Sequence, residues 1–276
     1  LDKVAARRQL RIIAPDRPGC GLSTPQPGRR IVDWPADVEA LVRHLGLSRF
    51  AVLGGSGGGP YALACAHALP HEMMSAVGLL ASAPPWEAGT REVLLSSRLG
   101  HLAAMYMPTG TRVLIDLLVA SVRRGLATSW GQKTVDNLLE KLEAQAKAKS
   151  QTGADDDDGG GGEKSVEERR NEFLRTIFEA FAQGSEACVY EAGLLTTDWG
   201  IKFEDVSYNK ILLWHGTKDK NSPVSMIRYM AERLPHSELR EFEEDNHFAV
   251  AYRLDEVLSD LVPEEDIKAM ARRTTV

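Results

Sequence analysis

Phe50-Ala51-Val52-Leu53-Gly54-Gly55-Ser56-Gly57-Gly58-Gly59-Pro60 reads as a short apolar strand that stops in a cluster of glycines around a single serine. From Tyr61 to Leu69 the chain resumes as an alanine-rich helix. Ending a strand and starting a helix within so few residues forces the serine into sparsely allowed backbone geometry and brings its neighbours against adjacent chain, so the flanking positions need residues without a Cβ. Gly54-Gly55-Ser56-Gly57-Gly58 has the G-x-S-x-G order of a nucleophile elbow. Such a turn holds the Ser56 hydroxyl at the amino end of the following helix, where the dipole and the N–H groups favour developing negative charge.

A glycine cluster is more often a flexible loop, and two other glycine motifs compete with the elbow. A Walker loop ends in Gly-Lys-Ser/Thr, whereas this helix opens with Gly59-Pro60-Tyr61. In a dinucleotide fingerprint starting at Gly55 the third glycine would fall at position 60, which is Pro60. The strand, turn and helix around Ser56 therefore favour the elbow.

Outward from this stretch, the chain alternates. Leu1–Gln9 has helical spacing, and Leu10–Ala14 reads as a short β-branched strand followed by the turn-rich Pro15–Ser23. Within that turn Asp16 is expected to bond backbone N–H groups rather than act as an acid. Asp33 is the expected N-cap of a helix that carries Pro35 in its first turn, repeats Val38, Leu41, Val42 and Leu45 on one face, and ends at Gly46. After the elbow helix, whose alternate alanines let it pack close to a sheet, Ser75–Ala81 forms another apolar strand closed by Pro84-Pro85. Alternation at this spacing predicts parallel βαβ units in a sheet covered on both faces.

Beyond Pro85 the rhythm becomes helical, with segments expected at Val93–Tyr106, Thr111–Arg124, Thr134–Lys149 and Val166–Ala182. The low-complexity Thr152–Lys164, with Asp155–Asp158 followed by Gly159–Gly162, is expected to be a disordered loop. Its aspartates lack the spaced ligands and closing glutamate of an EF-hand. Trp86, Met105, Tyr106, Met107 and Trp130 are candidates to wall a pocket or to pack a core. Strands return at Ile211–Trp214 and Glu238–Phe242, with a helix at Val224–Leu234 between them and another, Ala249–Leu261, after them. Two loops lie at the carboxyl ends of these strands, His215–Pro223 and Glu243–Phe248. The expected organisation is an α/β core over residues 1–85 and 201–276, interrupted by a helical insertion over 86–200 with the acidic glycine-rich loop at about 152–164.

Bulk properties exclude several classes. A net charge of -6 offers no basic stripe to displace counterions from phosphates, so no nucleic-acid partner is expected. The longest apolar candidate, Val113–Val122, is interrupted by Asp116 and falls short of the roughly 18–20 residues of a membrane span. Cys20, Cys65 and Cys188 are widely spaced and form no C-x-x-C pair, which suits a reducing, cytoplasmic setting and argues against a disulfide framework or a cysteine-held metal. The chain opens on Leu1, so an upstream segment is expected and a targeting signal is not read.

Acyl transfer needs a nucleophile, a base, an acid that orients the base, and donors for the oxyanion. Ser56, Asp219 and His247 each follow an expected strand, where doubly wound sheets gather such groups. They come in the order Ser, Asp, His. His215 competes as base, although it precedes Asp219 and more naturally shapes the loop. The backbone N–H of Gly57 is the expected oxyanion donor.

In Asp16-Arg17-Pro18-Gly19-Cys20-Gly21-Leu22-Ser23, the glycine-flanked Ser56, His215-Gly216-Thr217-Lys218-Asp219 and Asp245-Asn246-His247-Phe248, the chain resembles the α/β-hydrolase superfamily. The resemblance is to its cap-bearing branch of proline iminopeptidase-like, haloperoxidase-like and carbon–carbon-bond hydrolases. It covers most of the chain outside the helical insertion. Serine at the elbow sets it apart from the epoxide hydrolases and dehalogenases, which carry aspartate there. The resemblance implies hydrolysis of a small acyl substrate without cofactor or metal, the insertion serving as a cap. Members of that superfamily also carry, upstream of the first helix, a strand and a His-Gly loop that supplies a second oxyanion N–H. Without them a gap in the sheet, unless the flanking strands close up, and a rate lower by about 10² to 10³ are expected. The rival reading is a noncatalytic ligand-binding protein on the same scaffold. Oligomeric state is not legible.

Overall fold

Four strands, β1 (Phe50–Gly55), β2 (Met74–Leu80), β3 (Ile211–Gly216) and β4 (Ser237–Phe242), form one parallel sheet in the order β1-β2-β3-β4. The computed structural model describes residues 2–150, 165–265 and 267. The helices are α1 (Asp2–Arg7), α2 (Trp34–His44), α3 (Gly59–Ala68), α4 (Leu95–Tyr106), α5 (Pro108–Leu126), α6 (Ser129–Ser150), α7 (Val166–Glu179), α8 (Glu186–Thr196), α9 (Val224–Arg233) and α10 (Leu254–Leu261). Every strand pair is parallel, so each needs a crossover; α3 and α9 pack on one face of the sheet and α10 on the other. Among the described residues, no helix is long and apolar enough to cross a membrane.

Burial follows the sheet. On one face Leu63, Cys65, Val77, Leu79, Ile211, Leu213, Ile227 and Met230 share a core with Tyr61 and Phe203; on the other, Ala76, Leu212, Trp214, Val257 and Leu261 pack together. Successive residues of β3 thus go to opposite cores, the period-two alternation of a strand buried on both sides. Alanines keep α3 slim enough to lie on β1 and β2, and a Cβ on Gly78 of β2 would come within 2.8 Å of the Trp214 ring.

Two compact units account for the chain. One comprises residues 1–15, 27–106 and 191–276 and holds the sheet; the other comprises 16–26 and 107–190 and holds α5, α6 and α7. Within the second unit Arg170 of α7 reaches Asp136 of α6 at 2.8 Å, and Gln183 donates to the carbonyls of Gly21 and Ser23. Within the first, Arg29, Tyr61 and Glu191 form a buried cluster: the guanidinium donates to the tyrosine oxygen at 2.8 Å and to Glu191, and the tyrosine hydroxyl donates to Glu191 at 2.7 Å.

Several local expectations are corrected. Leu10–Ala14 is not a strand: among the described residues the sheet ends at β1, the Leu10 N–H turns back to the Ala5 carbonyl at 2.8 Å, and Ile12 and Ile13 are exposed. Asp33 takes the expected N-cap position of α2, but its side chain makes no capping bond there. Its carboxylate instead accepts from the Arg30 N–H at 2.8 Å and closes the 3-10 turn Ile31–Asp33 that leads into α2. β3 runs on to Gly216, so His215 is a strand residue and not part of a loop. The closing helix begins as a 3-10 turn, Ala249–Arg253, before α10. Of the aromatic and sulfur side chains expected to wall a pocket or pack a core, Tyr106, Met107 and Trp130 are exposed. The loop expected at Thr152–Lys164 lies outside the described residues.

Candidate active site

The elbow is built by contacts that leave no room for side chains. A Cβ on Gly54 would run into the Gly58 carbonyl and lie 2.8 Å from the Ala62 Cβ, while one on Gly59 would strike the Ser82 side chain. With glycine at both positions, β1 reverses into α3 through the 3-10 turn Ser56–Gly58, and Ser56 is held at φ 49°, left-handed backbone that a non-glycine residue adopts only under constraint. The Ser56 carbonyl accepts from the Ala83 N–H at 2.8 Å, which ties the strained residue to the segment leaving β2. Its hydroxyl is left exposed. Gly57 follows within the same turn, at the amino end of α3.

Asp219 comes from the turn after β3 and is 4% exposed. Its Oδ1 accepts the backbone N–H groups of Asn221 (2.8 Å) and Ser222 (2.9 Å), an Asx-type turn that fixes the carboxylate. The other oxygen, Oδ2, accepts from His247 Nδ1 at 2.7 Å. His247 is carried by the loop after β4. There Lys218 N–H bonds the Asp245 carbonyl at 3.0 Å, and Asn246 Oδ1 accepts from Phe248 and Ala249, each at 3.0 Å. The two loops approach at Gly216, where a Cβ would meet the Asp245 backbone. A histidine that donates through Nδ1 to a carboxylate presents a bare Nε2 in its neutral form. That Nε2 lies 2.9 Å from the Ser56 hydroxyl.

The structure therefore brings Ser56, His247 and Asp219 into one hydrogen-bonded series. His215, the competing base, is excluded from it. The ring is completely buried on β3, with Nε2 2.7 Å from the Ser222 carbonyl and 3.5 Å from Asp219 Oδ2. Because a carbonyl only accepts, His215 carries its proton on Nε2. Burial pushes its pKa below the ordinary histidine value, with the Ser222 bond and Asp219 opposing. Sequence reasoning missed the two N–H donors at Asn221 and Ser222; an aspartate heading a short turn was their signal. Phe248, quoted above within its motif, is exposed and stands edge-on to His247 with centroids 5.5 Å apart. Among the described residues, no group of three or more His, Cys, Asp or Glu side chains is arranged to hold a metal ion.

No curated protein matches the chain in sequence. Solved structures do match in shape. An α/β hydrolase fold protein from Nakamurella multipartita aligns with a TM-score of 0.57 at 18% identity, covering 95% of this chain and 86% of that one. A bromoperoxidase from Bacillus anthracis aligns at 0.56 and 16% identity (95% and 84% covered), and an esterase from a Rhodococcus species at 0.53 and 18% (94% and 84%). At such identities the likeness speaks to the fold alone. A family model described as the alpha/beta hydrolase fold matches residues 1–253. Parallel strands, crossover helices and this match lead to one conclusion: the chain belongs to the α/β hydrolase fold family, and its scaffold is that of a hydrolytic enzyme.

Proposed function

We propose that this chain is a serine hydrolase of small acyl substrates such as esters, lactones or short amides. His247 Nε2 takes the Ser56 proton as Oγ attacks the acyl carbonyl, and the Gly57 N–H donates to the oxyanion of the tetrahedral intermediate. Protonated His247 then gives its proton to the leaving group, which leaves the acyl group on Ser56. In the second half the same nitrogen takes a proton from water, hydroxide adds to the acyl carbon, and Ser56 leaves with the proton returned. Asp219 holds the ring in the Nδ1–H form throughout and stabilises the imidazolium that forms in each half. On this reading the helical insertion over 86–200 is a cap that selects the acyl group.

One observation carries the reading: the two consecutive hydrogen bonds, 2.9 Å from Ser56 to His247 and 2.7 Å from His247 to Asp219, with the acid buried and the hydroxyl exposed. A fluorophosphonate probe tests it, since it reacts with activated serines. Labelling at Ser56, abolished in Ser56→Ala and slowed in His247→Ala, is the expected result. A folded chain with no Ser56 adduct would sink the proposal, and stabilisation by an ester without turnover would point instead to a noncatalytic binding protein.

A further inference from the structure

We propose that His215 is a positioning residue for the proposed reaction, a buried clasp that holds the Asp219 turn closed through the Ser222 carbonyl. The inference rests on the serine-hydrolase reading, because it assigns a role around that reading's acid.

Position 215 follows Trp214 on β3, in register with Glu241 of β4, and its ring is completely buried. An apolar ring would fill this space without the cost of burying a polar group. Instead the chain keeps an imidazole of which only one nitrogen is used: Nδ1 is buried with no hydrogen-bond partner among the described residues. Leaving such an atom unsatisfied is destabilising, so packing does not account for the residue. What the imidazole does provide is the Nε2–H bond to the Ser222 carbonyl.

Ser222 matters because its own N–H is one of the two donors on Asp219 Oδ1. His215 therefore grips from the carbonyl side the residue whose N–H grips the acid. The turn is closed at both ends: His215 and Asp219 belong to the start of the segment, Ser222 to its finish. With Oδ1 held by Asn221 and Ser222, the carboxylate is turned so that Oδ2 meets His247. The ionisable groups interacting with His215 are Asp219 in its own turn, His247 from the loop after β4, and Glu241 from β4. Burial keeps the ring neutral against the pull of the two carboxylates, which suits a fixed donor and not a proton carrier.

The test compares variants that keep or lose the donor. In His215→Gln the amide nitrogen lies near the place of Nε2 and still reaches the Ser222 carbonyl. In His215→Asn the amide stops short, near the place of Nδ1, and in His215→Phe there is no donor. With p-nitrophenyl acetate as substrate, His215→Asn and His215→Phe are expected to lose about 10- to 100-fold in kcat with KM within about twofold, as a misplaced catalytic geometry does; His215→Gln recovers most of the loss. The low-field proton resonance of the His247–Asp219 hydrogen bond is expected in wild type and His215→Gln and absent in His215→Asn. Equal kcat and an equal resonance in the Gln and Asn variants would overturn the inference, and that pair decides even if the Phe variant fails to fold. Failure of the underlying reading looks different: wild type would show no turnover sensitive to Ser56→Ala, while the resonance would still report on the clasp.

Discussion

Gly54 and Gly58 are in such close contact that a Cβ on Gly54 would collide with the Gly58 carbonyl, whereas a Cβ on Gly58 would meet nothing within 4 Å. Adjacent glycines of one cluster therefore have unequal roles. Gly54→Ala is expected to destabilise the fold by about 1–3 kcal/mol through a clash with backbone that cannot move aside. Gly58→Ala should change stability by less than about 0.5 kcal/mol. Urea denaturation of the two variants checks the contrast, and equal midpoints would refute the crowded elbow.

Asp219 accepts one hydrogen bond from His247 and two from backbone N–H groups. Asp219→Asn keeps the shape but can turn an amide N–H toward His247, which then favours the wrong tautomer. Ester turnover is expected to fall on the order of 10³- to 10⁴-fold with the fold intact. Steady-state kinetics beside a thermal melt separates the two effects, and a loss below about tenfold would remove Asp219 from the mechanism.

The buried Arg29, Tyr61 and Glu191 cluster predicts a non-additive result. Arg29→Met leaves Glu191 buried without its guanidinium and is expected to cost about 3–5 kcal/mol. Replacing all three at once, with Arg29→Met, Tyr61→Phe and Glu191→Leu, should recover most of that. Denaturant titrations of the single and triple variants measure it; a triple variant as unstable as the single would show that the ion pair itself stabilises the fold.

Cysteine chemistry should be strongly unequal. Burial pushes the Cys65 thiol up to about 12 in pKa, whereas Cys188 is exposed. Mild iodoacetamide treatment at neutral pH is expected to alkylate Cys188 in the folded protein and Cys65 only after denaturation. Peptide mass mapping reads this, and early modification of Cys65 would contradict its burial.

Stability should fall as pH drops below about 6.5. Burial lowers the pKa of His215, so in that range the unfolded chain binds a proton that the folded chain does not. Stability then rises with pH, by up to about 1.4 kcal/mol per unit for one proton. His101, also lowered by burial, acts with the same sign. The depressed carboxylates Glu241 and Asp255, held down by Arg228 and Arg8, contribute stability that is lost only as pH falls through the carboxylate range. Between pH 6.5 and 5 the curve of His215→Gln should therefore be flatter than that of wild type, and parallel curves would show that His215 titrates normally.

Much of this was legible because the informative residues sit where strands end. Ser56 directly follows β1, Asp219 and His247 lie on the loops just after β3 and β4, and in a parallel sheet all strands finish along one rim, so their meeting is a matter of topology. The misreadings have physical causes. Ile211–Trp214 is apolar and His215 polar, so pattern alone ended the strand one turn of the pleat too early; burial on both faces, which allowed a histidine to continue it, depends on β4 and the loops beyond. Leu10–Ala14 has the β-branched composition of a strand, but composition cannot say whether a neighbour is present to pair with. Helix α8 escaped notice because Ala187, Val189, Glu191 and Thr196 are buried on more than one side, which erases the stripe that periodicity detects.

The connection from Leu80 of β2 to Ile211 of β3, two strands that lie side by side, has a thermodynamic consequence of its own. Closing so long a loop is slow, but the entropy it demands grows only logarithmically: doubling the intervening chain costs about 0.6 kcal/mol. Lineages can therefore lengthen or shorten the middle of that connection, residues 107–190, with little loop-closure penalty, while Glu191 and Phe203 nearer β3 stay tied to the core. Divergence in this family has an inexpensive place to occur, upstream of two strands whose alignment never has to change.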